Sequence, residues 1–156
     1  MRYQLYREQQ LNCDMETAWS FFSSPKNLSK ITPKEMNFKV LTEYDNTQIF
    51  EGMIIDYTVS PLLHIPIKWR TRITQVEWNK SFTDFQEKGP YKYWNHFHEF
   101  IPNESGILMK DTVNYELPLG FLGTLAHSIF VKNKLADIFN YRYQILEKMF
   151  NQASKS

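Results

Sequence analysis

Between Met36 and Leu117 apolar and polar side chains alternate in short runs rich in Val, Ile, Thr, Phe, Tyr and Trp, the pattern of half-buried β-strands. Turn-forming strings punctuate these runs: YDNT, PLLHIP, WNK, KGP and PNESG. The pattern predicts six strands, near 37–43, 48–60, 66–78, 81–87, 91–100 and 106–117. Residues 2–11 alternate loosely and lack helix caps, which predicts a strand ahead of these. Asp14 then stands as the N-cap of a short helix over METAWSFF, with Met15, Ala18, Trp19 and Phe22 as its apolar stripe. Pro25 and Pro33 bracket room for one more short helix around 27–31. After PLGFLG the period changes. Leu135, Ile138, Arg142, Ile145 and Met149 recur three or four apart, which predicts a long helix that includes 125–148. We read one domain over 1–150, without internal repeats, followed by a polar tail at 151–156.

Three strings carry a resemblance: SPKNLSKITP, FTDFQEKGPYKYWNHFHEF and MKDTVNYELPLGFLGTLA. Together with the element order they resemble the bacterial ligand-binding SRPBCC branch of the START and birch-pollen-allergen-like superfamily, related to polyketide cyclases. The resemblance implies an α+β helix-grip fold: a seven-stranded antiparallel sheet wrapped around a long C-terminal helix, with two short helices after the first strand and a cavity between sheet and helix. It implies a small hydrophobic ligand, lipid or polyketide-like, and offers no catalytic signature to carry over.

Alternation assigns the faces of the strands. Trp94, His96, His98 and Phe100 share one face of the 91–100 strand, and Asn95, Phe97 and Glu99 the other. A turn through residues 103–105 sets His98 opposite Met109 and His96 opposite Asp111. The turn at Gly89 and Pro90 sets Trp94 near Asp84 and His96 near Phe82. Trp69, Thr71, Ile73 and Gln75 join the same face, because the alternative would bury Lys68, Arg70 and Arg72. Phe82, Gln86, Val113 and Tyr115 complete it. So many polar groups among aromatics suit a hydrated or ligand-filled cavity better than a dry core, where each unpaired group costs about 1–3 kcal/mol. From the helix, Ile138 and Arg142 face the sheet; the guanidinium needs a carboxylate, with Asp84 and Asp111 as candidates, unless it lies along apolar surface with its head in water.

Composition narrows the partners. A chain of 156 residues with 42% hydrophobic content suffices for one core. A formal charge of +1 gathers neither nucleic acid nor an anionic membrane, and no apolar run reaches the roughly 20 residues that span a bilayer. We therefore expect a cytoplasmic protein with no nucleic acid and no stable membrane insertion. Cys13, the sole cysteine, excludes an internal disulfide and a cysteine-based zinc site.

The spacing of His96 and His98, with Asp111, admits a transition metal, a catalytic His and Asp pair, or hydrogen-bonded residues of a cavity wall. The expectation is the third, with no metal and no cofactor. The candidate ligand contacts are Trp69, Thr71, Asp84, Gln86, Trp94, His96, His98, Asp111, Tyr115, Ile138 and Arg142. Two apolar loops, 61–66 and 117–123, read as a lid, a dimer contact or a place that touches lipid. The primary expectation is a binding module for a small hydrophobic molecule, with homodimerisation left open. One alternative is a cyclase or dehydratase-type enzyme using a His and Asp pair on a polyketide-like or carbonyl substrate. Another is a regulatory protein that docks through the apolar loops.

Overall fold

The computed structural model describes residues 1–44, 47–61 and 64–152. Part of the YDNT turn (Asp45 and Asn46), Leu62 and Leu63 of the first apolar loop, and residues 153–156 of the tail lie outside the described residues. The elements run β1 (Arg2–Leu11), α1 (Met15–Phe22), two 3-10 turns (Pro25–Ile31 and Lys34–Met36), β2 (Lys39–Val40), β3 (Ile54–Val59), β4 (Ile67–Glu77), β5 (Ser81–Lys88), β6 (Tyr93–Asn103) and β7 (Gly106–Glu116). The C-terminal helix follows as α2 (Gly120–Ala126), a π-turn (His127–Val131), α3 (Lys132–Leu146) and a second π-turn (Glu147–Asn151).

The strands pair antiparallel in the order β1-β7-β6-β5-β4-β3-β2, and the C-terminal helix lies across the inner face. This is the expected helix-grip α+β fold. Asp14 caps α1 by accepting the Thr17 N–H at 2.7 Å, which leaves Ala18 and Trp19 to face inward. Trp19 meets Phe82 and Phe100 edge-on, at 6.0 and 5.9 Å between centroids, so α1 closes one end of the sheet. Leu146, fully buried, seats the other end of α3 in the core. Among the described residues no helix is long and apolar enough to cross a membrane.

Three local readings change. The expected strand over 48–60 forms only as β3, because Gly52 turns with φ +88° and the chain rejoins the sheet at Met53. The strand over 37–43 shortens to β2, starting after Asn37 in the left-handed region at φ +46°. Gln75, expected to face inward, is exposed. A bulge at Thr74 sets Ile73 opposite Asp84 but Gln75 opposite Thr83, and one extra residue sends the following side chains to the other face.

The registers differ from expectation by one pair of residues. His98 lies opposite Asp111 and His96 opposite Val113; on the other side Asp84 lies opposite His96 and Phe82 opposite His98. The cause at β6–β7 is the turn, which closes through Glu104 and Ser105 because Gly106 takes φ +126° and pairs with Asn103. A two-residue shift preserves every face. Gly106 is required here twice over, since a Cβ would also stand 2.3 Å from the Leu11 carbonyl oxygen. Gly106→Ala is expected to lower stability by roughly 1–3 kcal/mol. An unchanged urea midpoint would contradict this close approach.

Candidate functional site

Between the sheet and the C-terminal helix lies a cavity of about 460 Å³. Phe22, Leu28 and Ile31 wall it from the short helices, Tyr57, Trp69 and Trp94 from the strands, and Leu135, Ile138 and Phe139 from α3. The aromatics brace one another. Tyr57 stacks on Trp69 at 5.7 Å and Trp69 meets Trp94 edge-on at 5.4 Å.

One wall is ionisable. Alternation along β6 turns both His96 and His98 inward, and their rings lie 3.7 Å apart. Asp84 arrives from β5 and Asp111 from β7, so the imidazole pair stands between two carboxylates. Nε2 of His96 donates to Oδ1 of Asp111 at 2.8 Å, and Nε2 of His98 donates to Oδ2 of Asp84 at 2.7 Å. The other two nitrogens face the opposite carboxylates, His96 Nδ1 at 3.6 Å from Asp84 and His98 Nδ1 at 3.1 Å from Asp111. The last contact is short but off the direction of the ring N–H, and among the described residues His98 Nδ1 has no hydrogen-bond partner. Arg142 reaches down from α3 to within 3.4 Å of Asp111. Phe82 stacks on His98 at 4.1 Å and Phe139 meets His96 edge-on at 5.8 Å, which holds both rings in place.

Burial and neighbouring charge oppose each other throughout this cluster. Burial pushes the Asp111 carboxyl up, but the Arg142 charge and the two imidazoles outweigh it and hold its pKa well below the usual carboxylate range. Burial likewise pushes Asp84 up, and His96, His98 and Arg142 bring it below the ordinary value. His98 is lowered by burial and raised further by the carboxylates on both sides, so its pKa is up overall. His96 goes down, from burial and from the neighbouring His98 charge, despite Asp111 and Asp84. Of the two rings, His98 takes the proton first.

The expected residues divide by position. Trp69, Thr71, Asp84, Trp94, His96, His98, Ile138 and Arg142 line the cavity. Asp111, 1% exposed, lies behind the histidines and orients them. Gln86 is buried away from the wall: its amide donates to the Tyr91 carbonyl at 2.7 Å and accepts from the Tyr91 N–H at 3.2 Å, tying the β5–β6 loop. Tyr115 is hydrogen-bonded to His127 at 2.8 Å and also stands off the wall. Of the two carboxylates weighed for Arg142, Asp111 is the ion-pair partner.

Sequence reasoning missed Phe139, one turn after Leu135, and Tyr57, whose hydroxyl lies 3.2 Å from that of Thr71. The helical period carried a signal for Phe139. For Tyr57 the signal lay within β3 itself, where Ile55, Tyr57 and Val59 share one face and Ile54, Asp56 and Thr58 the other. Asp84, His96 and His98 also bring three donor atoms within 4.8 Å of one another, close enough to hold one metal ion.

At the cavity mouth, Leu119 and Leu122 line the interior while remaining 76% and 62% exposed. Phe121 and Ile129 extend this apolar surface outward, and Ile65 of the first apolar loop is exposed as well.

The sheet, the gripped helix and the cavity between them define a helix-grip α+β architecture. No protein-family model matches the chain, and no curated protein matches it. Solved structures do. A protein of Chromobacterium violaceum superposes with a TM-score of 0.72 at 12% identity, over 96% of this chain and 99% of that one. Major latex-like protein of Panax ginseng gives 0.67 at 13% identity, over 97% and 99%. Norcoclaurine synthase of Thalictrum flavum, in complex with dopamine and hydroxybenzaldehyde, gives 0.64 at 15% identity, over 97% and 90%. At these identities the likeness is one of fold.

Proposed function

We propose that this chain is a cytoplasmic, single-domain binding protein for a small, largely apolar molecule, lipid or polyketide-like, held between sheet and C-terminal helix. The observation that carries this reading is an apolar cavity of about 460 Å³ with one polar cluster set into its wall. That cluster sets its two carboxylates against Arg142 and two imidazoles, so the ligand's polar end need not be an ion. Arg142 Nε and Trp69 Nε1 are buried donors without partners among the described residues, which favours a carbonyl or hydroxyl oxygen on the ligand. The apolar mouth around Leu119, Leu122 and Phe121 suits ligand entry or a second copy of the chain, and leaves the docking role of this surface as part of the reading.

A second reading has its own support. His96 gives its Nε2–H to Asp111 and so keeps Nδ1 unprotonated beside the cavity, the arrangement for taking a proton from a carbonyl substrate. One protein of similar fold is an enzyme, norcoclaurine synthase. Turnover of a copurifying molecule, rather than its retention, would favour this cyclase or dehydratase-type role.

Native mass spectrometry of protein purified from its source organism tests the primary reading. A copurifying apolar molecule is expected, and a consistently empty protein that also fails to bind a fluorescent apolar probe would overturn it. Ile138→Trp, which fills the cavity from α3, is expected to weaken probe binding by at least about tenfold, or roughly 1.4 kcal/mol.

Arg142→Leu should alter affinity more than Arg70→Leu or Arg72→Leu. Arg70 pairs with Asp56 at 2.7 Å and Arg72 with Glu87, both on the outer face of the sheet. Three equal effects in titrations with the same probe would remove Arg142 from the site.

A further inference from the structure

We propose that Asp84, His96 and His98 form a site for one divalent first-row transition ion, set in the cavity wall with open coordination positions toward the ligand space. The proposal shares residues with the ligand-binding reading but does not depend on it.

The geometry points there in three steps. First, Asp111 accepts the Nε2–H of His96 at 2.8 Å, which fixes the tautomer and leaves Nδ1 with a lone pair. That lone pair faces Oδ2 of Asp84 across 3.6 Å, two electron-rich atoms with no hydrogen between them. The Asp84 oxygen already accepts from His98, so Nδ1 of His96 is the atom left to take a cation or a donor group. Second, His98 gives its Nε2 hydrogen to the same Asp84 oxygen at 2.7 Å; an ion entering here replaces that proton, which is released to solvent, and Nε2 then offers its lone pair. An ion with bonds of about 2.0–2.2 Å separates adjacent ligand atoms by about 3.0–3.5 Å, so small movements of the carboxylate would seat it among all three donors. Third, part of the outer support is already built. Metal-bound imidazoles characteristically give their second nitrogen to a carboxylate; Asp111 already accepts that of His96 at 2.8 Å, lies 3.1 Å from that of His98, and is itself neutralised by Arg142 at 3.4 Å.

The donor set selects the ion class. Two imidazoles and one carboxylate suit zinc, cobalt, iron or manganese better than calcium or magnesium, and three protein ligands leave positions for water or a ligand oxygen. Those positions fall on the cavity side, since Asp84, His96 and His98 line it while Asp111 is buried behind them.

The test uses the full chain stripped of metal and freed of ligand, equilibrated with Zn²⁺ or Co²⁺ alone. Uptake of one ion per chain is expected, with a Kd below about 0.1 mM. His96→Gln and Asp84→Asn are each expected to weaken uptake by at least about tenfold. Histidine ¹⁵N NMR of the unmodified protein guards against variants that unfold. Of the four histidines, the two that respond to Zn²⁺ should be His96 through Nδ1 and His98 through Nε2. No saturable uptake by protein with native circular dichroism would overturn the proposal, as would uptake that both variants retain or NMR changes confined to His64 and His127. Binding of the apolar probe by the same metal-free sample reports separately on the ligand-binding reading.

Discussion

Replacing Asp111 with alanine is expected to lower the unfolding free energy by roughly 3–5 kcal/mol, because it leaves a buried cation without its partner. Asp111 and Arg142 are 1% and 7% exposed, so neither charge can turn to water when the other is removed. Asp111 also accepts the His96 hydrogen bond, and its loss frees an imidazole that Phe139 meets edge-on and that lies against the tilted His98 ring at 3.7 Å. The double variant Asp111→Leu/Arg142→Leu should recover much of the loss, since exchanging a buried pair for apolar side chains removes the uncompensated charge. Urea unfolding at neutral pH measures both. A single variant within about 1 kcal/mol of the parent would show that the guanidinium finds water or another partner.

Acidification below about pH 4 is expected to unfold the protein steeply. Asp84 and Asp111 both titrate below the ordinary carboxylate value in the folded chain. The unfolded chain therefore binds protons first, and the stability these groups contribute above about pH 4 is lost as pH falls toward their folded values, at up to about 1.4 kcal/mol per pH unit for each. Exposed carboxylates act in the same direction, Asp14 through the Thr17 N–H, Asp56 through Arg70 and Glu116 through Lys92, but water screens them.

The histidines oppose each other. His96, lowered in the fold, loses stability as pH falls through about 6.5, whereas His98, raised in the fold, contributes below about 6.5 and loses its contribution as pH rises through its folded value. A shallow profile near neutrality and a steep acid limb should result. Urea midpoints measured from pH 8 to pH 3 check this, and Asp84→Asn should flatten part of the limb. A midpoint that stays level down to pH 3 would mean that the carboxylates are not held ionised as described.

The alternation of β6 and β7 and the helical period of α3 determined, from sequence alone, that His96, His98, Asp111 and Arg142 share one interior. Side-chain direction along a strand or helix is a property of a few consecutive residues, so it is legible locally. Even a register wrong by one pair kept these residues on the correct face.

What tertiary structure decided was which atoms meet. The tight β6–β7 turn at Gly106 set His98, not His96, opposite Asp111, because left-handed backbone there shortens the connection. The bulge at Thr74 turned Gln75 out to solvent, and a single extra residue in a paired strand leaves no mark in the alternation. Gln86 and Tyr115 read as wall residues, but the Tyr91 backbone and His127, brought in by a loop and by the C-terminal helix, claimed their polar groups first. The choice of Asp111 over Asp84 as partner for Arg142 was likewise settled by the height at which α3 crosses the sheet. Such pairings join residues far apart in the chain, and packing that minimises buried unpaired charge selects among them only once the whole sheet has closed on its helix.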